Sequence, residues 1–99
     1  MRQGTNWPHG FTLPFDSSTI EKVRVSYAQD NCVILTKTEK DCLFDGNQIN
    51  LTMTQKETFR FDQKKNLQVQ LRVLTEDGTP LTSEIFQTSV KYSLDREVL

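Results

Sequence analysis

The sequence is poor in the residues that carry chemistry: one histidine, His9, and two cysteines, Cys32 and Cys42, stand among 99 residues. Zinc sites announce themselves by paired, closely spaced ligands, and these three lie far apart along the chain. A Ser-His-Asp arrangement would have to use His9, yet Ser17, Ser18, Ser26, Ser83, Ser89 and Ser93 all fall in turns or at alternating strand positions, with no nucleophile elbow. His9 itself, beside Trp7 and Pro8, reads as an exposed residue of an N-terminal arm. No catalytic residue, metal or cofactor is assigned, and a non-enzymatic protein is expected.

Neither sign of charge dominates. Twelve Lys and Arg face 13 Asp and Glu for a formal net charge of -1, which points to neither nucleic acid nor an anionic membrane surface as partner. A run of about 18 apolar residues, the length of a membrane-spanning helix, is missing. Met1 to Asn6 also lack the apolar stretch of a secretory signal, so synthesis in the cytoplasm is the expectation. Internal repeats, low-complexity tracts and interdomain linkers are absent too. The acids form no obvious pair for acid–base work, with Glu57 and Asp62 the nearest case. Asp41, Asp45, Asn47 and Asn50 surround one turn but lack the dense alternate spacing of a calcium loop. Asn50-Leu51-Thr52 is a formal glycosylation sequon, relevant only to a secreted eukaryotic chain.

What the chain has is alternation. Leu67, Val69, Leu71 and Val73 alternate with Gln68, Gln70 and Arg72 before Glu76-Asp77-Gly78-Thr79 turns the chain, the period of a half-buried strand entering a hairpin. Upstream, Val23, Val25 and Tyr27 share one face while Lys22, Arg24 and Ser26 share the other. The β-branched run Cys32-Val33-Ile34-Leu35, the brief Cys42-Leu43-Phe44 and the alternating Ile49, Leu51 and Met53 give three more strands, with Gly46 supplying a tight turn. Phe11 to Phe15 is an edge strand or the end of one, because Pro14 has no donor. A last strand runs from Leu81 to Tyr92, with a bulge at Ile85-Phe86 that sets Phe86, Val90 and Tyr92 on one face.

Thr54-Gln55-Lys56-Glu57 has the form of a capping box. It predicts a single helical turn crossing between strands of opposite sheets, with Phe59 and Phe61 plugging one end of the core. Seven short strands with frequent turn signals predict an all-β, immunoglobulin-like two-sheet β-sandwich of antiparallel strands, formed by residues 9–99 behind an extended, weakly ordered arm at 1–8. If Thr38 to Asp41 closes a hairpin, Cys32 falls opposite a residue near Asn47, so the cysteines read as buried free thiols rather than a disulfide.

Two surfaces stand out as candidates for binding. The polar face Gln68, Gln70 and Arg72, with an aromatic such as Tyr27, offers adaptable hydrogen bonds to a glycan. Trp7 is an interface anchor or else packs back on the domain's own open end. The Arg2-Gln3-Gly4-Thr5 opening, the stretch Phe11-Thr12-Leu13-Pro14-Phe15-Asp16, and Val69 to Thr75 with Gly78 beyond it resemble small prophage-encoded virion proteins of Firmicutes. The strand pattern is similar, more loosely, to the N-terminal β-sandwich of upper baseplate proteins in tailed phages of Gram-positive hosts.

The resemblance implies a phage structural protein of the tail tip or baseplate, made in the bacterial cytoplasm and assembled into the virion. Its partners would be other phage structural proteins or further copies of itself. Those baseplate proteins continue into a linker and a receptor-binding module, whereas this sequence stops at Leu99, so the resemblance implies a connector rather than a host-recognition protein. The contacts expected to carry assembly are free strand edges together with Trp7, Phe11 and Phe15 at one terminus and Tyr92, Leu94, Val98 and Leu99 at the other.

Overall fold

The computed structural model describes residues 1–99. Eight strands form two antiparallel sheets, an all-β sandwich as the alternation predicts. One sheet has three strands in the order β1 (Trp7–Thr12), β5 (Gln48–Met53), β4 (Leu43–Asp45). The other has five: β3 (Cys32–Thr38), β2 (Ile20–Gln29), β6 (Leu67–Thr75) and β7 (Pro80–Thr82) in line, with β8 (Phe86–Thr88) beside β7 on the same flank of β6.

The strands meet because their apolar faces have one place to go. In β2 and β6 the alternate residues Val23, Val25, Tyr27, Leu67, Val69, Leu71 and Val73 are all buried, and register pairs Val25 with Leu71 and Tyr27 with Val69. Ile49, Leu51 and Met53 of β5 cover them from the smaller sheet. Burying such a side chain is worth roughly 1.5–3 kcal/mol, so these ten residues set the register of the central strands. The capping box forms as the sequence predicts. Thr54 Oγ1 accepts from the Glu57 N–H while the Glu57 carboxylate accepts from the Thr54 N–H, and the one-turn helix α1 (Gln55–Thr58) carries the chain between sheets; of the two phenylalanines after it, Phe61 is buried in the core and Phe59 only partly buried.

Several expectations need correcting. The first strand begins at Trp7 and ends at Thr12, so Pro8 lies within it and Pro14 and Phe15 lie beyond it. A position at the sheet margin tolerates a residue without a donor. Residues 1–6 are not a loose arm. Gln3 is buried, its side-chain amide donates to the Phe61 carbonyl at 2.6 Å and accepts from Arg96 and Ser93, and its backbone N–H donates to the Lys91 carbonyl. The segment Glu39–Asp41 is not a hairpin turn but a 3-10 crossover from β3 in one sheet to β4 in the other. Cys32 and Cys42 are therefore separated, both free, with Cys32 exposed and Cys42 buried. The last strand divides into β7 and β8, which makes eight strands rather than seven and leaves Phe86 and Tyr92 about half exposed.

Candidate functional site

The division of the last strand opens the sandwich on one side. At Ser83 the ladder against β6 is kept by a side chain: Ser83 Oγ accepts the Leu71 N–H at 2.9 Å while the Ser83 N–H donates to the Leu71 carbonyl at 2.8 Å. Gln70 Nε2 donates to the Ser83 carbonyl as well. The chain bends here as at a bulge, so β7 and β8 are short and no continuous strand closes over β1.

Between β1 and the β6–β8 flank lies an apolar groove of about 570 Å³. Its walls are Trp7, Phe11, Leu13 and Phe15 on one side and Val69, Leu71, Val73, Leu81 and Phe86 on the other. Phe11 and Phe86 approach across it, with ring centroids 6.1 Å apart. Both lips of the groove are strand edges without a partner, since β1 pairs only with β5 and both β7 and β8 pair only with β6. Unpaired backbone donors and acceptors thus flank an apolar floor, the surface that an added strand completes.

Gly10 holds β1 in place. A Cβ there would meet the Ile49 carbonyl oxygen at 2.9 Å and Asn50 Oδ1 at 2.6 Å, so only glycine lets β1 lie this close to β5.

His9 sits at the floor of the groove and not on an exposed arm. Its ring stacks on Trp7 with centroids 4.2 Å apart and meets the Tyr27 ring edge-on at 5.5 Å. The Trp7 carbonyl, 3.0 Å from Nδ1, can only accept, so Nδ1 carries the proton and Nε2 accepts from the Tyr27 hydroxyl. Burial lowers the pKa of His9, with the Lys37 charge acting in the same direction against the hydrogen bond to Trp7. Burial also pushes Tyr27 well above the ordinary phenol range and raises Cys42 to about 11, with Asp41 and Glu39 reinforcing the latter shift. The neutral forms are thus the resting ones, and this cluster fixes β1 onto β2 rather than activating a nucleophile. No group of three or more His, Cys, Asp or Glu side chains converges on one point.

The predicted contact residues separate into two groups. Trp7, Phe11 and Phe15 line the groove. Tyr92, Leu94, Val98 and Leu99 do not: Arg96 lies over the Phe59 ring and beside Tyr92, and the Leu99 N–H donates to Gln55 Oε1, which draws the tail toward α1. Leu94 and Leu99 remain about nine-tenths or more exposed. The predicted glycan face does not assemble as drawn. Tyr27 is fully buried on the opposite side of the sheet from Gln68, Gln70 and Arg72, and both Gln68 and Gln70 spend their amides on Asn31 and Ser83.

Sequence reasoning missed Leu81, Ser83 and Gly10 as parts of the groove. The alternation of Trp7, His9, Phe11 and Leu13 was a signal for the longer first strand, masked by the two prolines.

Comparison with protein-family models, curated proteins and solved structures finds no match to this chain. No helix of the protein is long and apolar enough to cross a membrane.

Proposed function

We propose that this protein is a non-enzymatic contact module of a phage virion, in keeping with the resemblance above, and that it works by accepting an extended segment of a neighbouring structural protein into the β1/β7–β8 groove. One observation carries the contact role: an apolar groove whose two lips are both free strand edges. Backbone pairing along β1 would give affinity, and the pockets between Trp7, Phe11 and Phe86 would select alternate apolar side chains of the incoming strand. Groove aromatics of this kind are the usual anchors of an interface. A second copy of the chain is the simplest partner, since its tail exposes Leu94, Val98 and Leu99. Contacts through a groove on one copy and a tail on the next are heterologous, and they build rings or filaments.

Light scattering on a size-exclusion column, over a range of concentrations, tests the self-docking form with the intact chain and with Phe86→Asp. A defined oligomer that Phe86→Asp dissociates is the expected result. An oligomer indifferent to Phe86→Asp would contradict docking in the groove, and a strict monomer would contradict self-docking and make the partner a different virion protein.

A further inference from the structure

The outer face of the five-stranded sheet carries an arrangement that costs stability. Arg24 of β2 and Arg72 of β6 are directly opposite each other in the register, both exposed, between Thr38 of β3 and Thr82 of β7 in one row across four strands. Opposite residues in antiparallel strands have Cβ atoms about 5 Å apart, and like charges so placed repel. Neither guanidinium has a relieving anion. The ion pairs of the molecule are Lys37–Glu57 and Lys65–Asp30, and the cation–π contacts belong to Arg96.

Lys22 extends the cationic row by one pair, opposite Leu74, while the next row on the other side is Thr36, Ser26 and Gln70. None of the 13 acidic residues occupies these rows. Two carboxylates border them: Glu39, at the Lys22 corner, accepts from the Val23 N–H and is held below the usual carboxylate range by backbone hydrogen bonds and in part by the Lys22 charge, and Asp41 accepts from the Thr38 N–H. A chain of net charge -1 has therefore set two arginines against each other on one face with no ion pair to either, while Lys22 has Glu39 beside it.

We infer that this face docks an acidic, extended peptide segment of a partner protein, with Arg24 and Arg72 gripping one of its carboxylates together. Arginine presents a planar fork that matches a carboxylate in two hydrogen bonds, and the Thr38 and Thr82 rows supply a polar, sterically low surround. Three cations fall short of the run of phosphate contacts that gives nucleic acid its affinity, and the overall charge offers no long-range attraction to a polyanion. Charge complementarity at short range is what the face provides. Arg24 and Arg72 line no part of the groove, which this row shares only at Thr82, so the arginine test and the Phe86→Asp test separate the two readings.

An NMR titration of the intact protein with hexaglutamate, and in parallel with inorganic phosphate at matched ionic strength, tests the inference. Saturable shifts of the Arg24 and Arg72 Nε–H resonances with hexaglutamate are expected, at least tenfold weaker in Arg24→Gln/Arg72→Gln and weakened by salt. The same double variant is expected to melt no lower than the intact chain, because the opposed charges are gone, so loss of binding cannot be read as loss of fold. No shift at these two arginines, shifts concentrated instead at Lys64 and Lys65, or equal response to phosphate would overturn it.

Discussion

A single proton decides how β1 is held. In the folded chain the Nε2 of His9 already accepts from Tyr27 and Nδ1 already donates to Trp7, so a second ring proton arrives in a buried place beside a hydroxyl donor and within the field of Lys37. The unfolded chain takes up that proton near pH 6.5 and the folded chain at a lower pH. Between the two values the unfolded state binds more protons. Stability is therefore full above about pH 6.5 and falls as the pH drops through the folded-state value. Thermal melts from pH 8 to pH 5 are expected to show this step, and His9→Gln is expected to remove it; a step of the same size in the variant would mean that another group titrates there. Tyr27→Phe leaves Nε2 without its donor and is expected to cost about 1–2 kcal/mol in denaturant unfolding. None of this was legible in the sequence, where His9 reads as exposed. Which side chain meets Tyr27 depends on a pairing of β1 with β5 that links residues far apart in sequence, such as His9 with Leu51.

At the scale of elements, local rules were legible and edges were not. The capping box at Thr54 and the glycine turns at Gly46 and Gly78, where φ is +58° and +85°, follow from short-range chemistry and formed as read. The central strand followed from its period of two. What escaped were the places where one strand's behaviour is set by another. Ser83 breaks the last strand because its hydroxyl can replace a ladder carbonyl at Leu71, and Gly10 permits a close approach that no alternation reveals. Gly10→Ala is expected to destabilise the chain by about 1–3 kcal/mol, because the Ile49 backbone cannot step aside as the Asn50 side chain can. Because the added methyl pushes β1 away from β5, amide hydrogen exchange in that variant is expected to rise along β1 before it rises in β2 or β6. Uniform protection across all three strands would show that β1 is not held by that contact.

Across the whole molecule, counting strands and turns was enough for two packed sheets, since each half-buried strand needs an opposing apolar face. The α1 crossover between sheets was legible from its capping box, but the order β1-β5-β4 against β3-β2-β6-β7 was not, because the crossover at Glu39–Asp41 looks in sequence like a hairpin turn. That order puts two free edges on either side of one apolar groove, and the proposed contact role rests on that groove. The most direct test is selection of binders from a library of random decapeptides, followed by mapping of the bound peptide on the amide spectrum of the protein. Peptides with alternating apolar residues that perturb β1 and β7–β8 amides, and that Phe86→Asp no longer binds, are the expected outcome. Peptides that map away from the groove, or that bind Phe86→Asp equally well, would contradict the proposed strand addition.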